Sequence, residues 1–299
     1  MQRALVLAFL MLAIGCRAPS HPGEDAAWLG SLDRFHTERN DEIAGPDGWL
    51  TLVTRSWLPE GASRVGADPA SDIVLPADRS PPLAGTLLRT GTTVRFVAAE
   101  GVTVSVDGTP RTELDLVDDH DGHPTVWALG SLTFRVIRRQ DRLALRVKDS
   151  AHPARAAFKG LAFYAPNPAW RVRARLAPAP AGTTVRIVNV LGQVEDMPSP
   201  GTLQFDVGGR AYRLDAVTDR DHEGFFVLMK DATSGHGTYP PGRFLYTGAP
   251  ASDGSVELDF NRAFSPPCAF TSLATCPLAP KQNELPLKIE AGERFAGPH

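Results

Sequence analysis

Long hydrophobic runs, a basic excess, internal repeats and glycine-rich phosphate loops are all missing from this 299-residue sequence. The apolar run at Ala4–Ile14 is too short to span a bilayer as a stable helix. Lysine and arginine number 31 against 34 aspartates and glutamates, a net charge of −3, so there is no basic footprint for nucleic acid and no long acidic tail. Without a repeat or heptad the chain is neither a solenoid nor a coiled coil. Cysteine is scarce: Cys16, Cys268 and Cys276 are all there is, and no histidine lies within or near the 268–276 loop to complete a metal site. Neither a metal nor a cofactor is expected.

What the N-terminus does have is Arg3 followed by that short apolar run and then Ala13-Ile14-Gly15-Cys16. This is the pattern of a signal peptide over residues 1–15 whose end resembles a bacterial lipobox, where small residues admit the peptidase and the Cys16 thiol is acylated. Several acyl chains on Cys16 would hold the mature protein at a membrane surface. Arg17 is not the Asp of an inner-membrane retention signal, so the periplasmic side of the outer membrane is the expected location in a Gram-negative host. Residues 16–24, rich in Pro, Ser and Gly, read as a tether. In that oxidising compartment the two remaining cysteines, Cys268 and Cys276, are expected to form a disulfide.

Beyond the tether, Trp28, Leu32, Phe35 and Ile43 share one face at helical spacing, which predicts one amphipathic helix within residues 25–47, closed by Gly45-Pro46-Asp47-Gly48. From there short runs of β-formers alternate with turn residues, Asp107-Gly108 and Gly208-Gly209 being the plainest hairpin signals. The expected fold is mainly β, two β-sandwich-like domains at 48–150 and 151–299 behind the helix. Strands are predicted at Phe158–Tyr164 and Trp170–Leu176; in the second, Arg171, Arg173 and Arg175 share a face that reads as solvated. Asp118-Asp119-His120-Asp121-Gly122-His123 carries cation-binding residue types but fits no EF-hand order, and reads as a solvated loop between strands.

The middle segment resembles a forkhead-associated domain through R-V-G-A-D-P-A-S-D-I-V-L-P at Arg64–Pro76, Ser80, and V-D-G-T at Val106–Thr109. That family is a β-sandwich that reads phosphothreonine through an Arg, a Ser-x-x-His pair and an Asn. Ala67, Leu83 and Asp107 stand in three of those places here, so the resemblance implies the fold and not the phosphate pocket.

Chemistry-bearing side chains crowd into residues 231–277, where aromatics interleave with charged and amide groups. Ser234, His236 and Asp259 could supply a nucleophile, a base and an orienting carboxylate, yet Thr233-Ser234-Gly235 reads as a turn and not as a nucleophile elbow. Asp231 or Asp259 could accept a proton, Tyr239 donate one, and Arg243 or Arg262 grip an anion. Alternatively, Asp231 pairs with Arg243 and Asp259 with Arg262 as buried members of a network that fixes the loops.

The chain also resembles the domain of unknown function 1684 family, through S-L-D-R-F-H-T-E-R-N at Ser31–Asn40, G-W-L-T-L at Gly48–Leu52, F-K-G-L at Phe158–Leu161, D-A-T-S-G-H-G-T-Y-P-P-G-R-F-L at Asp231–Leu245 and the stretch from Leu258 to Asn283. A Lys commonly stands in that family where this chain has His236, which weakens the triad. The resemblance brings no activity. The candidate ligand-binding residues are therefore Asp231, Thr233, Ser234, Tyr239, Arg243, Asp259, Asn261 and Arg262. The expected function is a non-enzymatic envelope lipoprotein that binds a small polar or anionic ligand or an envelope partner, with a hydrolase and a purely structural clamp as the alternatives.

Overall fold

The structure, a computed structural model, describes residues 22–295 and residue 297. The expected signal peptide, Cys16 and residues 17–21 of the tether lie outside the described residues. Helix α1 runs Pro22–Ala44, so the last three residues of the expected tether are helical; Pro22 suits the first turn of a helix, where its missing N–H costs nothing. Trp28, Leu32 and Ile43 are buried along its inner face.

The first β unit comprises β1 (Leu52–Trp57), β2 (Gly61–Gly66), β3 (Ile73–Val74), β4 (Gly85–Thr90), β5 (Thr93–Ala98) and β6 (Val104–Val106). It continues with β7 (Thr109–Arg111), β8 (Glu113–Leu116), β9 (Trp127–Leu129), β10 (Leu132–Arg139) and β11 (Arg142–Asp149). They form two facing sheets, β1-β11-β10-β9-β6-β7 and β3-β2-β4-β5-β8. Alternate residues fill the space between them: Phe134, Leu145 and Val147 from one sheet meet Val65, Leu87 and Phe96 from the other. The sandwich is thus present. At its tip Asp107 takes a positive φ of 49° beside Gly108, as the hairpin signal required.

The outer face of the first sheet does not meet solvent as an edge sandwich would. Ile137, Ala144, Arg146 and Lys148 all point away from the sandwich core and are all buried, so β11 is covered on both sides.

A short helix α2 (Pro153–Ala157) leads into the second unit. The strand expected at Phe158–Tyr164 is not formed. That segment is spent instead on docking: Leu161 N–H donates to Asn40 Oδ1 of α1 at 2.9 Å and Tyr164 N–H to the Gly292 carbonyl at 2.9 Å, leaving a single bridge at Phe163–Glu293. Then follow β12 (Arg171–Pro178), β13 (Thr184–Val188), β14 (Val194–Pro198), β15 (Gly201–Val207) and β16 (Arg210–Thr218). Four more complete the chain, β17 (Phe225–Asp231), β18 (Arg243–Tyr246), β19 (Ser255–Asp259) and β20 (Glu284–Leu285). One sheet in the order β18-β17-β16-β15-β12-β19 closes over its own core, because Leu245 and Leu258 from its two ends join the same cluster. β20 adds to β17 in parallel, and β13–β14 stand apart as a hairpin. Arg171 and Arg173 pair across strands with Glu257 and Asp253 at 2.9 and 2.5 Å on the solvated face.

Candidate functional site

Asp231 ends β17, and the seven residues after it fold into a tight turn in which Gly235 and Gly237 take positive φ of 80° and 124°. The turn buries its own polar groups. Asp231 accepts from the Thr233 hydroxyl at 2.8 Å and from Ile289 N–H at 2.8 Å, and pairs with Arg243 at 3.3 Å. Arg243, 1% exposed, spends its other donors on the Ala291 and Ile289 carbonyls. Burial pulls its pKa down while Asp231 opposes the shift. Asp231, Thr233 and Arg243 therefore lock the C-terminal segment 285–291 against β17 and β18.

A second cluster forms around Asp259, which accepts from Trp28 Nε1 of α1 at 2.8 Å and from Asn261 Nδ2 at 2.8 Å, with Arg262 Nε at 3.6 Å. Arg262 reaches Ser31 Oγ of α1 at 2.6 Å, and Asn261 donates to the Asn167 carbonyl at 3.0 Å. Both expected acid–arginine pairs are observed, and the two clusters are self-paired, with Asp231, Arg243, Asp259 and Asn261 buried and Arg262 half-buried. Tyr239 donates to the Cys268 carbonyl at 3.0 Å, and burial followed by the neighbouring thiol raises its pKa.

The triad of Ser234, His236 and Asp259 does not assemble. Ser234 Oγ accepts from Asp231 N–H at 3.2 Å, and His236 makes no side-chain hydrogen bond among the described residues. Asp259 is committed to Trp28 and Asn261. In the 118–123 loop the carboxylates are likewise taken, Asp118 by Arg138 and Asp119 by Arg139, and among the described residues no acidic or histidine cluster could hold a metal. The expected disulfide is not formed: Cys268 and Cys276 are free thiols, with Cys268 N–H 3.1 Å from Cys276 Sγ. The hydrogen bond shared with Cys276 lowers the Cys268 thiol to about 7 and raises its partner.

A concavity lies elsewhere, between the two β units. A cleft of about 330 Å³ separates the outer face of β10–β11 from the second unit. One wall is apolar, built by Phe226, Phe244 and Tyr246 on β17–β18, Met197 and Ile187 on the β13–β14 hairpin, and Trp49 ahead of β1. The rings pack as a set: Phe226 stacks on Tyr246 at 4.7 Å and meets Phe244 edge-on at 4.9 Å. The facing wall carries Arg139 and Arg146, and Cys276 lies at the floor. Arg139 is held by Asp119 at 3.0 Å and by Thr275 at 3.1 Å. Arg146, 3% exposed, has a buried Nε without a hydrogen-bond partner and no ion pair among the described residues, only the Trp49 ring at 5.3 Å. Burial, with Arg135 and Arg139 adding, pushes its pKa down to about 9, so it still carries its proton at neutral pH. Glu195, on the exposed hairpin, is the one carboxylate lining the cleft among the described residues.

None of the candidate residues chosen from the sequence lines this cleft; they hold the scaffold around it. The cleft residues come from five distant stretches, and only the alternation Arg135, Arg139, Arg142, Arg146 on neighbouring strands could have signalled a cationic face.

The family model for DUF1684, described as a protein of unknown function, matches residues 156–294. Among solved structures, the solution NMR structure of an uncharacterized protein of Haloarcula marismortui is similar at 32% identity, covering 47% of this chain and 78% of that one with a TM-score of 0.39. An FhaA forkhead-associated domain is similar at 15% identity, covering 31% of this chain and 97% of its own, TM-score 0.23. A second such domain, from work on phosphothreonine-dependent interactions, is similar at 18%, covering 33% and 96%, also at 0.23. No curated protein matches the chain.

Proposed function

Because the chain belongs to the DUF1684 family, whose function is open, we propose from its geometry that it is a non-enzymatic binding protein that holds a small ligand in the cleft between the two β units. The observation that carries this reading is the contiguous aromatic wall of Phe226, Phe244, Tyr246 and Trp49 facing an unpaired buried cation across about 330 Å³, within the size of small-molecule sites. The ligand is therefore part apolar. This moves the ligand site away from Asp231, Thr233, Ser234, Tyr239, Arg243, Asp259, Asn261 and Arg262, whose side chains serve docking. In the same reading the protein is a cell-envelope lipoprotein, held at a membrane through acyl chains on Cys16 and facing soluble envelope molecules; the Ala13–Cys16 pattern supports this.

Titration of the protein with octanol and octanoate, followed by tryptophan fluorescence, tests the cleft, since Trp49 lines it. Saturable binding is expected, and Val194→Trp, a change at the exposed rim, should abolish it by filling the space. Binding unaffected by Val194→Trp would sink the proposal. Mass spectrometry of the mature N-terminus should find an acylated Cys16; an unmodified start beyond that residue refutes the anchor.

A further inference from the structure

Cross-strand register places three arginines in one row on the outer face of the first sheet. Arg55 of β1 stands directly opposite Arg146 of β11, and Arg146 directly opposite Arg135 of β10. Like charges directly opposite one another repel, and neighbouring strands put the backbones of these residues only about 4.8 Å apart. Elsewhere on this face the protein supplies its own counter-charge: Lys148 pairs with Asp47 at 2.9 Å and Arg139 with Asp119 at 3.0 Å. For the row it supplies no direct ion pair among the described residues, Asp119 acting on Arg146 only from beside Arg139. Arg55, Arg135 and Arg146 each have a buried Nε without a hydrogen-bond partner, and no ion pair joins any of them to a carboxylate among the described residues.

A buried cation left unpaired is costly, and Arg146, which is buried, carries that cost between the half-buried Arg55 and Arg135. The fold keeps Arg146 in place by packing Trp49 over it and accepts the repulsion. Arg146 also lines two cavities at once, the interdomain cleft and a neighbouring one of about 270 Å³ that holds Arg135, Thr133, Ser150 and the Lys148–Asp47 ion pair. Space for an anion thus adjoins the row, and hydroxyl donors stand beside it.

We infer that Arg146 and Arg135, neighbours in this row that line the same cavity, seat a phosphate-type dianion, and that this group is the head of a ligand whose apolar body lies along the aromatic wall. A carboxylate has one charge and two oxygens in a plane, enough for one guanidinium fork. A phosphate monoester brings up to two charges and three free oxygens directed apart, which suits two guanidinium groups supplied to one cavity from adjacent strands. The placement of the body rests on the cleft reading above; the placement of the head rests on the row alone. The row is also separate from Ala67, Ser80, Leu83 and Asp107, the positions that correspond to the phosphate pocket of forkhead-associated domains.

Calorimetric titration of the full chain with inorganic phosphate, n-octyl phosphate and octanoate tests the assignment and separates a free anion from a monoester. Octyl phosphate is expected to bind at least about tenfold more tightly than either octanoate or inorganic phosphate. Arg146→Met should weaken both phosphate ligands by about thirtyfold or more, the loss typical of one partner in a buried charge pair. Arg135→Met, at a less buried position, should weaken them in the same direction and guards against misfolding of the first variant. Val194→Trp should weaken octyl phosphate and leave inorganic phosphate unchanged. Octanoate binding as tightly as octyl phosphate, with Arg146→Met without effect on either, overturns the phosphate seat while the cleft reading stands. Phosphate binding that needs Arg146, with no gain from the octyl chain, keeps the seat and removes the cleft ligand. No binding of any of the three overturns both.

Discussion

Arg243 and Arg146 are buried to nearly the same depth and differ in what surrounds them. Arg243 has Asp231 and two carbonyls, so Arg243→Met would strand a buried carboxylate and is expected to cost about 3–5 kcal/mol in urea unfolding. Arg146 has no such partner, so Arg146→Met in the ligand-free protein is expected to raise stability, by about 1–3 kcal/mol, measured the same way. A loss of stability in that variant would mean that the row has an internal counter-charge. Glu293 adds a pH signature. Burial holds its pKa above the ordinary 4.5, with Arg39 at 3.2 Å opposing the shift. The folded state therefore grips this proton more tightly than the unfolded chain, and its contribution to stability is full below about pH 4.5 and lost as pH rises through the raised value. Glu293→Gln should flatten that limb of the stability profile. The pairings Asp231–Arg243 and Asp259–Arg262 were legible in the sequence because opposite charges recur at short spacing in a polar stretch. The partners of Arg39 and Trp28 were not, since Glu293 and Asp259 stand more than two hundred residues away.

At the scale of elements, α1 follows its apolar spacing, yet one residue on its inner face is charged. Arg39, four residues beyond Phe35, turns inward, covers the Phe264 ring at 4.4 Å and reaches Glu293 and the Ser265 carbonyl. Ser31–Asn40 and Leu258–Ser265 thus prove to be two sides of one joint. Trp28→Phe, which keeps the ring and removes the donor to Asp259, should cost about 1–3 kcal/mol and increase amide exchange along α1; unchanged exchange would show that the helix is held by its apolar face alone. The sequence also conveyed the sandwich, because inward residues such as Phe134, Leu145 and Val147 alternate cleanly with polar ones. It did not convey that the polar side of β11 is covered too. Alternation reports which residues prefer water, and Arg146 and Lys148 satisfy it while lying under another part of the molecule. For the same reason Phe158–Tyr164, a run that reads as a strand, was free to become a docking segment once its hydrogen bonds were taken by Asn40 and Gly292.

Across the whole molecule the two β units meet through Arg139 to Thr275, Gln140 to the Val194 carbonyl and Arg220 to the His120 carbonyl, at 3.1, 2.5 and 2.5 Å. With Ile137 and Ala144 also buried in that seam, heating should unfold the chain in one transition by calorimetry. Two resolved transitions would mean that the seam contributes little. The cleft as a whole was beyond reach of any sequence pattern because its walls come from Trp49 and from residues 139–146, 187–197, 226–246 and 267–277, brought together only by that docking. Its ownership is divided. The aromatic wall belongs almost entirely to the family-matched portion, residues 156–294, whereas Arg146 and its row belong to the sandwich that precedes it. On the proposed reading the second unit would supply appetite for an apolar body and the first would supply choice of charge. A chain that joined the same second unit to a different front would then keep the one and redraw the other, and the leading module would act as a selector for what the trailing module holds.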